Sequence, residues 1–313
     1  MPLSNYGNRI IVIIVGLILL FLPFIIRSQH WIYVINIAGL ESVVVIGFVL
    51  QYRVRLISFC AATFWGIGAY ISGLLSTAYD VNFWFCLVFS GLGAALVAFV
   101  LGALVIRAGW VTFLMISIVI AEVFVEALGH IQGLGGWDGI SKIPRPAIGS
   151  FVFVTHTSYY YLILALIIIC VVIFYAFYKS PIGKAWVAIG QSSELAASVG
   201  VNVFRYRLAA YVVACFTAGL SGSLYAHYST YIVPSTFQLV RSLYMSISAV
   251  IGGLNFVVAG PIVGAVVMKA LPELFRIADK YEPILVGAMI IVSARFFRKG
   301  ILGLLSKYRG FLL

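Results

Sequence analysis

The sequence predicts an all-α polytopic membrane protein, a bundle of about ten transmembrane helices forming one domain over 1–313. Three observations predict it. Hydrophobic residues make up 63% of the chain and charged residues 9%, where soluble domains carry roughly a quarter charged. The mean hydropathy is +1.13. Apolar runs close to the roughly 20 residues that a helix needs to cross a bilayer recur from one end to the other.

Those runs lie near 10–26, 31–50, 56–77, 83–106, 110–130, 159–178, 208–228, 242–258, 260–277 and 283–297. The first has no small-residue cleavage site and is followed at once by further spans, so it reads as a retained span. The pair flanking 254–261 is unusual, because Gly252, Gly253, Gly260 and Pro261 also suit a broken or re-entrant segment. Small residues at helical spacing recur, as in Ala62 and Gly66 ahead of Tyr70, in Ala218, Gly222 and Ala226, and in Gly260 with Gly264. Such rows let helices approach closely in lipid. Gly66, Gly68, Gly252, Gly253, Gly260 and Gly264 are therefore expected to be structural.

A net charge of +11 would suggest nucleic acid in a soluble protein. Here the basic residues sit in short patches at the ends of apolar runs, the pattern of the positive-inside bias, and nucleic-acid binding is not expected. Arg53, Arg55, Arg107, Lys179, Lys184, Arg205, Arg207, Arg298, Lys299, Lys307 and Arg309 mark one side. With ten spans, both termini fall on that cytoplasmic side, as do the stretch 179–207 and the basic tail 298–313. The longest external loop is 131–157, where Gly133, Gly135, Gly136 and Gly139 allow tight turns around Asp138. Cys60, Cys86, Cys170 and Cys215 lie in apolar runs without CxxC spacing and read as buried hydrophobes. The four histidines are scattered, so no metal site is expected.

The stretch from Lys179 to Arg207 interrupts the apolar pattern most strongly. Inside it Ser192 or Ser193 can cap a short helix, Glu194 suits its first turn, Leu195, Ala196 and Ala197 continue it, and Gly200 suits its stop. A small helix between two membrane-length runs has no core to build and is expected to meet something outside the membrane.

Carboxylates inside spans are costly and usually face a cavity or a partner. Glu41, Glu122 and Glu126 are therefore candidate pathway-lining residues, Glu122 and Glu126 lying one turn apart on one face, and Asn255 joins them from the glycine-rich segment. The plainer alternative for Glu126 is a partly solvated place near His130 at the membrane interface. No GxxxxGK[ST], HExxH or GxSxG pattern occurs, so no enzyme active site and no cofactor is expected. Energy for uphill transport would then come from an ion gradient or from another subunit.

The residues resemble the permease subunits of branched-chain amino acid ABC importers of the LivM type, in the LivH/LivM family. SPIGKAWVAIGQSSELAASVG at 180–200 is similar to the family's SPxGRAxRAIRExExAAxxxG, and Glu194, Ala196 and Gly200 fall on its Glu-Ala-Ala…Gly signature for docking on ATPases. YRLAAYVVACFTAGLSGSLYAH, IVPSTF, VIGGLNFVVAGPIVGA, LPELFR and FFRKGILGLL follow the family in order, and ISFCAATFWGIGAY and GLGGWDGI resemble earlier family segments. The resemblance implies a bacterial or archaeal cytoplasmic membrane. It also implies a heterodimer with a homologous permease, two cytoplasmic ATPases and an extracytoplasmic solute-binding protein. The solute would be leucine, isoleucine, valine or a related small polar molecule.

Four departures stand out: Gly190 replaces a family Arg, GFVLQYRVRLIS at 47–58 carries two extra arginines, Cys60 replaces a Gly, and Glu41 replaces an Asn. An ion-coupled secondary transporter or channel is the alternative from the residues alone. Within the family, urea or amide permeases are the alternative substrate class.

Overall fold

The computed structural model describes residues 20–26, 28–149, 151–274, 287 and 300–303. Most of the first apolar run, nearly all of the run at 283–297, and the tail at 298–313 apart from 300–303 lie outside them.

Among the described residues, six long helices form the body: α1 (Gln29–Arg53), α2 (Ala61–Ala78), α3 (Phe83–Val105), α4 (Trp110–His130), α5 (His156–Lys179) and, after two shorter helices, α8 (Val203–Ser229). Among the described residues, five of these (all but α2) are long and apolar enough to cross a membrane. Their ends follow local chemistry. Asn82, Thr155 and Asn202 accept from the first-turn amides of Trp84, Ser158 and Arg205. The glycine-rich loop holds a two-residue hairpin, β1 (Ala147–Ile148) with β2 (Phe151–Val152), the local exception to the all-α pattern.

α1 and α8 are interior helices, 83% and 67% buried over their most apolar stretch, whereas α4 and α5 are 28% buried. The small-residue rows explain why α8 can be central. A Cβ at Gly222 would fall on the Trp65 carbonyl of α2, and one at Gly68 would fall on the Gly219 carbonyl of α8. Backbones therefore touch where lipid gives no hydrophobic drive for association and packing must supply the attraction. We expect Gly222→Val to push α2 and α8 apart. Overpacking of this kind costs about 1–3 kcal/mol, read as a lowered thermal midpoint of the detergent-purified chain.

The segment 239–274 departs from two full spans. It forms α9 (Leu239–Gly252) and α10 (Ala259–Leu274), of 14 and 16 residues. At 1.5 Å per residue these are about 21 and 24 Å long, short of a hydrocarbon core of about 30 Å. The turn between them uses Gly253 at φ 113°, and α9 crosses α10 at backbone contact, since a Cβ at Gly264 would fall on the Ser248 carbonyl. The run at 242–258 is thus a short helix and a turn, the broken arrangement that its glycines suggested.

The two ends of the bundle differ. At one end, Arg53 donates to the Asn255 carbonyl (2.5 Å), Arg207 to the Val54 carbonyl (3.0 Å), and Arg107 lies over the Phe204 ring. At the other end the glycine loop is pinned by a bridge between Ile140 and Ile232 and by the buried His227, which bonds the Pro144 carbonyl and Ser72.

Candidate functional site

The polar stretch after α5 contains two helices where the sequence reading named one. α6 (Pro181–Gln191) begins with Pro at its first turn and buries Gly183, Trp186 and Ile189, and the Trp186 indole donates to the Tyr206 carbonyl at 2.9 Å. This amphipathic helix lies on the bundle end and carries α7 (Ser193–Ser198) outward. In α7 the Ser192 hydroxyl accepts from the Leu195 amide. Gly200, at φ 87°, closes it: its amide bonds the Ala197 carbonyl and the Val201 amide bonds the Ala196 carbonyl, both at 3.0 Å. That pair of bonds is a Schellman ending, which needs a left-handed residue at the glycine position. Only Ala196 of the helix is buried; Glu194 and Ala197 are exposed, and Leu195 and Val199 are 70% and 78% exposed.

Two of the departures from the family pattern turn out to be one feature. A Cβ at Gly190 would fall on the Arg53 carbonyl, so glycine there lets the end of α6 sit directly on the end of α1. Arg55, one of the two extra arginines, then donates to the Gly190 carbonyl (3.0 Å) and the Gln191 carbonyl (2.8 Å). It supplies a cation to the α6 C-terminus, where the helix dipole favours one. The basic group that Gly190 lacks is returned from the turn that follows α1. Arg55→Ala should therefore loosen α6 from the end of α1 and lower the thermal midpoint of the detergent-purified chain, with the chain still present in the membrane; thermal melts beside immunoblots of membrane fractions check this.

The four candidate pathway residues fall in three places. Asn255 is exposed in the α9–α10 turn, its carbonyl held by Arg53 at the arginine-rich end. Glu122 and Glu126 are exposed on the outer face of α4, beside the exposed Met115, Val119 and Val123, and Glu126 lies 3.8 Å from His130 at the helix end. Glu41 is elsewhere, buried at the middle of α1, twelve residues or about 18 Å from either end.

Around Glu41 the structure adds two residues that sequence reasoning missed. Arg241, in the first turn of α9, places Nη2 2.5 Å from Glu41 Oε1, and Lys269 of α10 places Nζ 3.2 Å from the same oxygen. Glu41 Oε1 itself takes no directed hydrogen bond, so charge holds these contacts. The Glu41 side chain is 4% exposed while those of Arg241 and Lys269 are 25% and 24% exposed. The guanidinium also lies 5.5 Å from the centre of the Trp65 ring, which is packed against Tyr225 and Phe237 and donates its N–H to Ser221. Lys269, a cation inside the apolar run GPIVGAVVMKAL, was the available signal. Arg241 gave none, because it stands one residue before the apolar run that was read as a span.

These features define a class: a multi-helix membrane protein with two helices too short to cross a bilayer, ion pairs at the middle of a long apolar helix, and a small helix projecting from one end. A family model described as branched-chain amino acid transport system / permease component matches residues 31–294, and the chain belongs to that family. It is similar to the high-affinity branched-chain amino acid transport system permease protein LivM of Salmonella typhimurium and to that of Escherichia coli, each 26% identical over 263 residues. The match covers 76% of this chain and 62% of each relative, so the chain spans about three fifths of their length. No solved structure matches it.

Proposed function

We propose that this chain is the membrane-spanning permease subunit of an ABC importer, forming part of the pathway for branched-chain amino acids or related small polar solutes. The observation that carries the reading is α7, a six-residue helix with Leu195 and Val199 turned outward and its end fixed by Gly200. Exposed aliphatic side chains on a charged, glycine-terminated helix suit a groove on a cytoplasmic ATPase. Glu194, Leu195, Ala196, Ala197 and Gly200 would be the coupling residues. The chain itself would hold no catalytic residue, and hydrolysis would belong to two ATPase partners. An extracytoplasmic solute-binding protein would deliver the solute at the glycine-loop end (131–157).

In this reading 1–313 is one permease domain of the bacterial or archaeal cytoplasmic membrane, with both termini, the loop 179–207 and the tail 298–313 in the cytoplasm. ATP-driven closure of the ATPases would move α7. The movement would pass through α6 and Arg55 to the end of α1, and through Arg53 to the α9–α10 turn. Differential docking in two states supplies the coupling free energy.

Exposed carboxylates do not suit lipid. The α4 face with Glu122 and Glu126 would therefore meet the aqueous pathway at a homologous second permease. Replacing both by Gln should lower uptake several-fold; unchanged uptake would remove them from the pathway. Gly66, Gly68, Gly252, Gly253, Gly260 and Gly264 would serve close helix contact.

The test is uptake of labelled leucine into proteoliposomes that hold the chain with its partner permease and ATPases, in the presence of the binding protein. The reading expects dependence on ATP hydrolysis and indifference to collapse of proton and sodium gradients. Gradient-driven uptake without ATPases would establish the ion-coupled alternative. Labelled urea and acetamide, run in parallel, separate the substrate classes.

A further inference from the structure

The charged group at the middle of the bundle is not needed by the coupling helix and has a chemistry of its own. Two cations from different helices bear on one oxygen of one carboxylate. The carboxylate is nearly sealed, while the cations keep about a quarter of their surface open. An approaching solute therefore meets positive charge first, with the balancing negative charge beneath it.

Two further observations point the same way. Arg241 sits in the first turn of α9, where the helix dipole is already positive and favours anions over cations. Half-length helices that begin at membrane depth are a recurrent device for binding anionic groups of transported solutes. The Arg241 Nε is buried without an acceptor, so the guanidinium fork keeps a donor that Glu41 leaves unused and that a turn of the side chain away from Glu41 would expose. A carboxylate is the planar, two-oxygen acceptor that such a fork takes side by side. Trp65 lies against one face of the guanidinium, 5.5 Å from ring centre to Cζ.

We propose that Arg241, supported by Lys269 and opposed by Glu41, is a recognition site for the carboxylate of the translocated solute at mid-depth of the pathway. The inference rests on the permease reading and adds to it a named anchor for one end of an amino acid. When the carboxylate docks, Arg241 turns from Glu41 toward it, and Lys269 keeps Glu41 paired. Passage is then tied to a rearrangement of α9 and α10 against α1, the three helices that the ion pairs join.

The test uses the full chain in lipid nanodiscs and the fluorescence of Trp65, which the guanidinium overlies. L-leucine should give a saturable change. L-leucinamide, with the same side chain and amine but no carboxylate, should give a change at least about tenfold weaker in apparent affinity. Arg241→Gln and Trp65→Phe should each abolish the leucine signal, while the remaining tryptophans report that the fold persists. Acetate should compete with leucine, and chloride at the same concentration should not.

Equal responses to leucine and leucinamide, or equal competition by acetate and chloride, overturn the inference, the second by revealing an undirected anion effect. Absence of any leucine response that Trp65→Phe removes also overturns it. The nanodisc measurement needs no ATPase, so it fails separately from the function. ATP-driven uptake with no carboxylate-dependent signal defeats only the site. A clear signal from a chain whose uptake ignores ATP defeats only the ABC assignment.

Discussion

Gly200→Val is expected to reduce ATP-driven uptake about tenfold or more, with membrane abundance nearly unchanged. The reason is conformational. Gly200 has φ 87°, and no atom lies within 4 Å of the place a Cβ would take, so the new side chain meets open space and not a clash. A β-branched residue in the left-handed region costs about 1–2 kcal/mol, which the last turn of a six-residue helix relieves by unwinding. The Ala196 and Ala197 carbonyls then lose the bonds that fix the end of the helix. Leu195 and Val199 are no longer presented together, and each 1.4 kcal/mol lost in docking is a factor of ten in affinity. Gly200→Asn is the control, because Asn tolerates the left-handed region and should keep most of the uptake. Uptake per unit of membrane-resident protein, with co-purification of the ATPase, is the measurement. Full uptake in the Val variant would mean that the helix ending does not set the docking geometry.

The second large effect is on stability. Glu41→Gln removes the carboxylate that lies against both Arg241 Nη2 and Lys269 Nζ and is expected to destabilise the chain by about 3–5 kcal/mol, the scale for breaking a buried pair. Arg241→Gln should cost less, because Lys269 remains 3.2 Å from Oε1. The double variant should be more stable than the sum of the singles by about 0.5–3 kcal/mol, the coupling expected of neighbours in one network. Thermal midpoints of the purified variants give the cycle. Additive effects would show that the residues are merely close and do not act on one another.

Much of this architecture is legible in the sequence, for reasons that particular residues make clear. Ser192 or Ser193, Glu194 and Gly200 wrote a helix start and stop into a polar gap; Ser192 makes the cap, Glu194 falls in the first turn and Gly200 takes the left-handed stop. The glycines and Pro261 in 252–261 announced the break between α9 and α10. What was hidden depends on the third dimension. Arg241 sits one residue ahead of an apolar run, and nothing in one dimension places it beside a glutamate two hundred residues earlier. The pairing of Gly190 with Arg55 was equally hidden, since each alone looks like an unrelated departure from the family pattern. Glu41, Glu122 and Glu126 were alike by composition, and only burial separates the sealed Glu41 from the two exposed acids on α4.

The central claim is that α7 is the contact through which an ATPase drives this permease. The direct measurement is site-specific cross-linking from α7 in the assembled transporter, with Ala197→Cys, an exposed position on α7, carrying a short thiol-reactive photo-cross-linker. The account predicts an adduct between this chain and the ATPase subunit whose yield changes on addition of ATP. It predicts no adduct from Thr157→Cys, in the first turn of α5 near the glycine-loop end. An ATPase adduct from position 157 with none from 197, or an α7 adduct only to lipid, would contradict it.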